Sequence, residues 1–208
     1  MWKPRSYAIA AATLLAMGGA TTHAEQKPAA KDIVIVHGAL VDASGWRAVH
    51  DILSRDGFHV TIVQEPLTSL SEDVEATKRV IDQQTGPVVL VGHSYGGSVI
   101  TDAGTDPKVS ALVYVAALQP DVGEASGQLL SKFAAPNDAM RATANRANPS
   151  KYFFIPPAKF QETYAADVPA PDAQFMADSQ QQLAEKALAE PVSVAAWRTK
   201  PSYFPAQN

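Results

Sequence analysis

The run Val88-Val89-Leu90-Val91-Gly92-His93-Ser94-Tyr95-Gly96-Gly97 constrains what this chain can fold into more than any other stretch. Four consecutive apolar residues read as a strand buried on both faces, the pattern of a parallel sheet. The strand then breaks into Gly-x-Ser-x-Gly, which marks a sharp strand-to-helix turn that lifts a serine hydroxyl clear of the sheet. Gly92 and Gly96 permit that turn, because a side chain at either position would collide with the neighbouring strand or helix. Gly97-Ser98-Val99-Ile100 follow as the start of the helix, so the motif sits in the context it requires. Ser94 is therefore expected to be a catalytic nucleophile.

Up to Pro120 the chain alternates strand and helix patterns. Asp32 to His37 is a short β-branched run closing on Gly38, and Phe58 to Val63 reads as a second strand. Between them Trp46, Val49, Ile52 and Leu53 recur at helical spacing before Gly57. Ser71 can cap a helix that places Leu70, Val74, Thr77 and Ile81 on one face, and Gly86-Pro87 ends that connection. After Ser94 a helix runs to about Gly104, Asp106-Pro107 stops it, and Ala111 to Val115 supplies a fourth strand. This alternation predicts an α/β fold with a parallel, doubly wound sheet. From Pro120 onward lie 10 of the 15 prolines, and strand-like runs fade. This segment is therefore expected to be mostly helical, an insertion after the fourth strand that sits above the elbow or packs on the domain's flank. Within it Ala173 to Glu190, bounded by Pro171 and Pro191, offers Phe175, Met176, Leu183, Ala187 and Leu188 as a buried helical stripe, and Phe160 to Ala165 a shorter helix.

The chain has 208 residues, 46% of them hydrophobic, which suffices for the core of one globular domain. Residues 1–24 read differently. Lys3 and Arg5 precede an apolar stretch from Tyr7 to Ala20 and the small-residue site Thr22-His23-Ala24, the pattern of a secretory signal peptide cleaved after Ala24. The apolar stretch is shorter than the roughly 20 residues a membrane span needs. The expected organisation is a signal peptide (1–24), a linker (25–30) and one domain (31–208), located in the periplasm or secreted and free of the membrane after cleavage. The formal charge of −4, which deepens when Lys3 and Arg5 are removed, excludes a nucleic-acid footprint. Cysteine is absent, so disulfides, a thiol nucleophile and thiolate metal sites are excluded. No H-E-x-x-H or comparable spacing supports a metal, and no cofactor is expected.

The first strand ends in His37-Gly38-Ala39-Leu40, a loop that faces the elbow across the sheet's carboxyl end. The backbone N–H groups of Ala39 and Tyr95 would there point at the oxygen that becomes negative when an acyl group is attacked, with Gly38 permitting the loop's course. A serine hydroxyl is a poor nucleophile until a base takes its proton, and none of the five histidines fits that role well. His23 leaves with the signal peptide, His37 belongs to the loop, His50 and His59 lie away from the carboxyl edge, and His93 projects away from its neighbour Ser94. Asp102 and Asp106 read as a polar helix position and a turn residue, with a triad acid as their alternative.

These stretches together resemble the α/β-hydrolase superfamily, and within it the small, lidded esterase-like branch that includes hydroxynitrile lyases, salicylate esterases and pyrethroid-hydrolase-like proteins. The likeness rests on Ile33-Val34-Ile35-Val36-His37-Gly38-Ala39, Pro66-Leu67-Thr68-Ser69-Leu70, the elbow, Leu112-Val113-Tyr114-Val115-Ala116-Ala117 and Ala196-Trp197-Arg198-Thr199-Lys200-Pro201-Ser202. It implies Ser94 as nucleophile, Ala39 and Tyr95 at the oxyanion hole, a helical cap inserted at about 120–190 over the pocket, an acyl-enzyme, and a small-molecule substrate with an ester, amide or lactone bond. Proteins of this branch continue beyond such a Lys-Pro-Ser segment into further strands carrying an Asp and the catalytic His. Here Tyr203 and Phe204 start a strand that Pro205 interrupts. The expectation is a C-terminally truncated chain lacking the last strands, with the fourth strand left as an exposed apolar edge open to self-association. Two functions follow: an exported serine hydrolase, or a catalytically inactive pseudoenzyme or binding protein lacking the triad acid and histidine.

Overall fold

The structure, a computed structural model, describes residues 30–133 and 151–205. The expected signal peptide and all but the last residue of the expected linker lie outside them. In chain order the elements are β1 (Asp32–Val36), α1 (Arg47–Arg55), β2 (His59–Ile62), α2 (Leu70–Asp82), β3 (Val88–His93), α3 (Gly96–Ala103), β4 (Val109–Val115) and α4 (Ser126–Phe133). They continue as β5 (Tyr152–Phe153), α5 (Pro157–Tyr164), α6 (Ala170–Ser179), β6 (Leu183–Ala184), α7 (Glu185–Ala189) and β7 (Ser202–Tyr203).

Five strands form one sheet in the order β2-β1-β3-β4-β7, and every pairing in it is parallel. This is the α/β architecture expected from the alternation. Val34, Val36, Val88, Leu90, Leu112 and Tyr114 bury one face of the sheet in a core shared with Leu70, Val74 and Ile81 of α2 and Val99, Ile100 and Ala103 of α3. Ile33, Ile35 and Val60 make a smaller core on the other face, against Trp46 and Leu53.

Helix α2 forms where its apolar spacing predicts, with Leu70, Val74, Thr77 and Ile81 all buried. Its N-cap is Ser69, whose Oγ accepts the Glu72 N–H at 3.2 Å, and not Ser71. The N–H of Ser71 lies inside the first turn and donates to Glu190 Oε2 instead. At the other end Lys108 Nζ donates to the carbonyls of Asp82 and Gln84, at 2.6 and 2.9 Å, a cation placed where the helix dipole favours one. The stripe expected on α1 is only partly used. None of its residues is fully buried, and Val49 and Ile52 are 38% and 49% exposed, because α1 packs chiefly against β2 at one end of the sheet.

Two expectations for the second half are corrected. The fourth strand is not the edge, since β7 pairs with it at Leu112 and Val113. Pro201 contributes to this pairing the one backbone group a proline retains, its carbonyl, which accepts the Leu112 N–H at 2.9 Å. Lys200 Nζ holds the approach to β7 by donating to the carbonyls of Asp106 and Val109, and Phe204 stacks on Tyr114 at 5.3 Å. Nor is Ala173 to Glu190 one helix. Helix α6 stops at Ser179, residues 183–184 pair antiparallel with β5, and α7 is a separate short helix. Gln180 causes the break, because its side chain accepts the Ile155 N–H and donates to the Ile155 carbonyl, doing a strand's work from a helix end. Leu183 and Ala187 are buried in β6 and in α7, whereas Phe175 is 59% exposed.

Asp102, weighed above as a triad acid, spends its carboxylate elsewhere. Its Oδ2 accepts both the N–H and the hydroxyl of Ser193 at 2.8 Å, tying α3 to the segment after α7. Asp106 closes a turn by accepting the Lys108 N–H at 2.8 Å. Replacing Asp102 by alanine leaves two Ser193 donors without their acceptor, so Asp102→Ala is expected to lower the unfolding free energy in urea by about 1–3 kcal/mol.

Candidate active site

Ser94 stands at the carboxyl end of β3 with φ of +52°, in the left-handed region that a non-glycine residue enters only when its surroundings hold it there. Its carbonyl receives the N–H groups of Gly97 and Leu118, at 3.1 and 2.9 Å, which lock the turn between strand and helix. The glycines of the motif leave no room for a side chain. A methyl group on Gly92 would lie 2.6 Å from the Gly96 carbonyl oxygen and 2.9 Å from Ile100. One on Gly96 would lie 2.6 Å from the carbonyl oxygen of Val36 and closer still to that of His37. The backbone of α3 thus rests directly on the end of β1.

That contact brings the loop after β1 against the elbow. At Gly38 a methyl group would come within 3.1 Å of Ser94 Cβ and 2.9 Å of His93 Nδ1. Ala39 and Tyr95, the two residues expected to supply oxyanion donors, flank this junction. Among the described residues neither of their N–H groups donates a hydrogen bond, so both are available to an incoming oxygen. The Ala39 carbonyl is engaged, accepting the Tyr164 hydroxyl from α5 at 3.1 Å. Burial pushes the Tyr164 phenol up to about 12, so it stays a donor.

Beneath the elbow lies a buried polar layer that the sequence reading did not identify. His37 is fully buried. Its Nε2 accepts the Glu65 N–H at 3.2 Å and its Nδ1–H donates to the Gly38 carbonyl at 2.9 Å, a pattern that requires the neutral ring. Burial lowers its pKa in the same sense, against the opposing effect of the Gly38 bond. The Glu65 carboxyl is also buried, 3.2 Å from His37 Nδ1, yet neither of its oxygens makes a hydrogen bond among the described residues. Burial, reinforced by the charge of Asp73, raises its pKa well above the usual carboxylate range. Asp73 accepts the Leu67 N–H with Oδ1 at 2.8 Å and the Tyr95 hydroxyl with Oδ2 at 2.7 Å. Burial pushes Asp73 up to about 6, against those two bonds. One signal for Asp73 was available: it falls three residues after Leu70 and four before Thr77, an acid on an apolar stripe.

The described histidines do not reach Ser94 Oγ. His50 pairs with Asp51 on α1, and His59 pairs with Asp32 at the amino end of the sheet. His93 turns its ring edge toward Trp46, 6.1 Å away, and burial lowers its pKa. Among the described residues no group of three or more His, Cys, Asp or Glu is placed to hold a metal ion, and no helix is long and apolar enough to cross a membrane.

The raised pKa of Glu65 has a sign that can be checked. A carboxyl whose folded pKa exceeds its unfolded value near 4.5 leaves the fold unpenalised below that pH, and stability falls as pH rises toward the folded pKa. Glu65→Gln keeps the shape without the titration. The unfolding free energies of wild type and variant, followed in urea from pH 4 to 7, should diverge in favour of the variant above about pH 4.5. Parallel curves would show that Glu65 titrates in the fold as it does in the unfolded chain.

Comparison with known proteins agrees with this geometry. The alpha/beta hydrolase family profile matches residues 33–204. Methylesterase 8 of Arabidopsis thaliana is 32% identical over 117 residues, covering 49% of this chain and 43% of its own length. A carbendazim hydrolyzing esterase of Nocardioides sp. (strain SG-4G) is 32% identical over 115 residues, covering 49% of this chain and 48% of its own. The aligned stretches thus take in less than half the length of either relative. Among solved structures, polyneuridine aldehyde esterase superposes with a TM-score of 0.68 at 21% identity, over 85% of this chain and 80% of its own. An extracellular alpha/beta-hydrolase from a Paenibacillus species gives 0.70 at 18% identity, over 83% and 76%. Both likenesses establish the fold. With the family profile running from β1 through β7, over a sheet whose third strand ends in a Gly-x-Ser-x-Gly elbow, this chain belongs to the alpha/beta hydrolase family.

Proposed function

We propose that this chain carries a serine hydrolase site for small-molecule esters, with Ser94 as nucleophile and the Ala39 and Tyr95 N–H groups as oxyanion donors. The observation that carries the reading is the strained Ser94, held at φ of +52° beside two uncommitted backbone donors. Strain of this kind costs about 1–3 kcal/mol and persists where the surrounding structure enforces it, often at functional sites. Ser94 Oγ attacks the ester carbonyl, the carbonyl oxygen takes the developing charge into the hole, and the alcohol leaves. Water then releases the acid from the acyl-serine. The ester class follows the names of the relatives, a methylesterase and a carbendazim hydrolyzing esterase; a lactone or amide bond would use the same steps.

One observation favours a second reading, that of a protein that binds such ligands without turning them over. No histidine among the described residues activates Ser94. Without a base, hydrolysis is expected at the level an oxyanion hole and binding alone support, roughly 10³ to 10⁴ over the uncatalysed rate. Incubating these 208 residues with a fluorophosphonate probe, and in parallel with p-nitrophenyl acetate, separates the two. The hydrolase reading expects an adduct on Ser94 by mass spectrometry and slow ester turnover, both abolished by Ser94→Ala. Turnover unchanged in Ser94→Ala, or no adduct on folded wild type, refutes it.

We further infer export, from the basic start and apolar run of residues 1–24. Expressed with those residues in a bacterium, the protein is expected in the periplasm or medium with Glu25 as its first residue. Recovery of the unprocessed chain from the cytoplasm would overturn this.

A further inference from the structure

Tyr95 has two tasks in the site. Its backbone is the elbow half of the oxyanion hole, whereas its side chain is 1% exposed beneath the elbow. An aliphatic residue would fill that space at no polar cost. Here the hydroxyl instead donates to Asp73 Oδ2 at 2.7 Å, so its position depends on that acceptor.

Asp73 is itself fully buried, and its two oxygens are spent on two different elements. Oδ2 takes the Tyr95 hydroxyl; Oδ1 takes the N–H of Leu67 in the loop between β2 and α2. Leu67 has φ of +55° and is buried, so it too is held by its surroundings. Its carbonyl accepts the Ala184 N–H from β6 at 2.8 Å. Two residues earlier in that loop, Glu65 gives its N–H to His37, which anchors the Gly38 carbonyl beside Ala39. Gln181 Nε2 donates to the Glu65 and Pro66 carbonyls, at 2.8 and 3.2 Å. Both halves of the hole, and the segment above them, therefore run to residues 65–73.

We propose that Asp73 is a positioning residue of the oxyanion hole, fixing the Tyr95 N–H through the Tyr95 hydroxyl and referring it to the same loop that anchors Ala39. The proposal rests on the reading of Ser94 as nucleophile. At neutral pH the Asp73 carboxylate is ionised, so both of its bonds are charge-assisted and shorter in reach than neutral ones. Freeing the hydroxyl lets the elbow donor drift, and errors of about 1 Å in such a group cost up to roughly a hundredfold in rate.

The test follows covalent labelling of Ser94 by an alkyl fluorophosphonate in the full chain. Ser94 Oγ bonds to phosphorus, fluoride leaves, the serine proton passes to solvent, and the phosphoryl oxygen occupies the hole. Tyr95→Phe removes one oxygen atom and keeps both the packing and the Leu67–Asp73 bond, so it is expected to fold even where Asp73→Ala does not. Both variants are expected to lower the maximal labelling rate about tenfold or more with the half-saturating probe concentration within about twofold. The double variant should be no slower than the slower single one, since both changes break the Tyr95–Asp73 bond. A Tyr95→Phe protein that labels at the wild-type rate, whether or not it melts earlier, overturns the positioning role and leaves the nucleophile reading intact. Adduct on a residue other than Ser94, or none on wild type, overturns both.

Discussion

The contact on which the structure depends is backbone against backbone. Helix α3 begins so close to the end of β1 that Gly96 has no room for a methyl group beside the Val36 carbonyl. Gly92 leaves equally little room on the strand side of the turn. With that crossing in place, β3 lies beside β1, Ser94 is pressed into a left-handed conformation, and the loop carrying Gly38 and Ala39 is delivered to the serine. Left-handed non-glycine residues follow the ends of all four long strands, at Leu40, Leu67, Ser94 and Ala116. Each gathers at the carboxyl edge of the sheet, the edge where open α/β sheets place their ligands.

Strain at that edge is held by polar groups that an apolar core would lack. The side chains of His37, Glu65, Asp73 and Tyr95 form a buried layer in which the polar atoms are matched except for the Glu65 carboxyl. The hydrogen bonds of His37 require its neutral ring, burial pushes Glu65 toward its neutral form, and Asp73 carries two donors upon its carboxylate. A buried unpaired charge would be far more costly than this arrangement. The layer contributes geometry more than stability. It sets where the Tyr95 and Gly38–Ala39 backbones lie relative to each other.

The segment between β4 and β7 attaches to this base at specific points. Tyr164 reaches the Ala39 carbonyl, Gln181 reaches the Glu65 and Pro66 carbonyls, and the Ala184 N–H reaches Leu67. Three of the four receiving residues lie in the single loop between β2 and α2. On the far side Asp102 binds Ser193 of the returning chain and Lys200 of that chain binds the Asp106 and Val109 carbonyls, beside the pairing of β7 with β4.

The strands, the elbow and its glycines were legible in the sequence because each is enforced locally: apolar runs by burial on both faces, Gly92 and Gly96 by a turn with no space for a side chain. The parallel α/β fold follows from that alternation alone. Helix α2 was legible from Leu70, Val74, Thr77 and Ile81, but its N-cap, Ser69, was misplaced by two residues because several serines there could serve. What tertiary structure decided is what depends on partners distant in sequence. Ala173 to Glu190 keeps an apolar pattern compatible with a helix, yet Gln180 bonds to Ile155 and splits it. The stripe on α1 is regular, yet Trp46 and Leu53 meet the sheet's core while Val49 and Ile52 stay exposed. Tyr203 pairs with Val113, ninety residues earlier, which no local pattern records. Asp73 and Tyr95 carry no motif as a pair; their bond exists because α2 and the elbow are brought to the same side of β3.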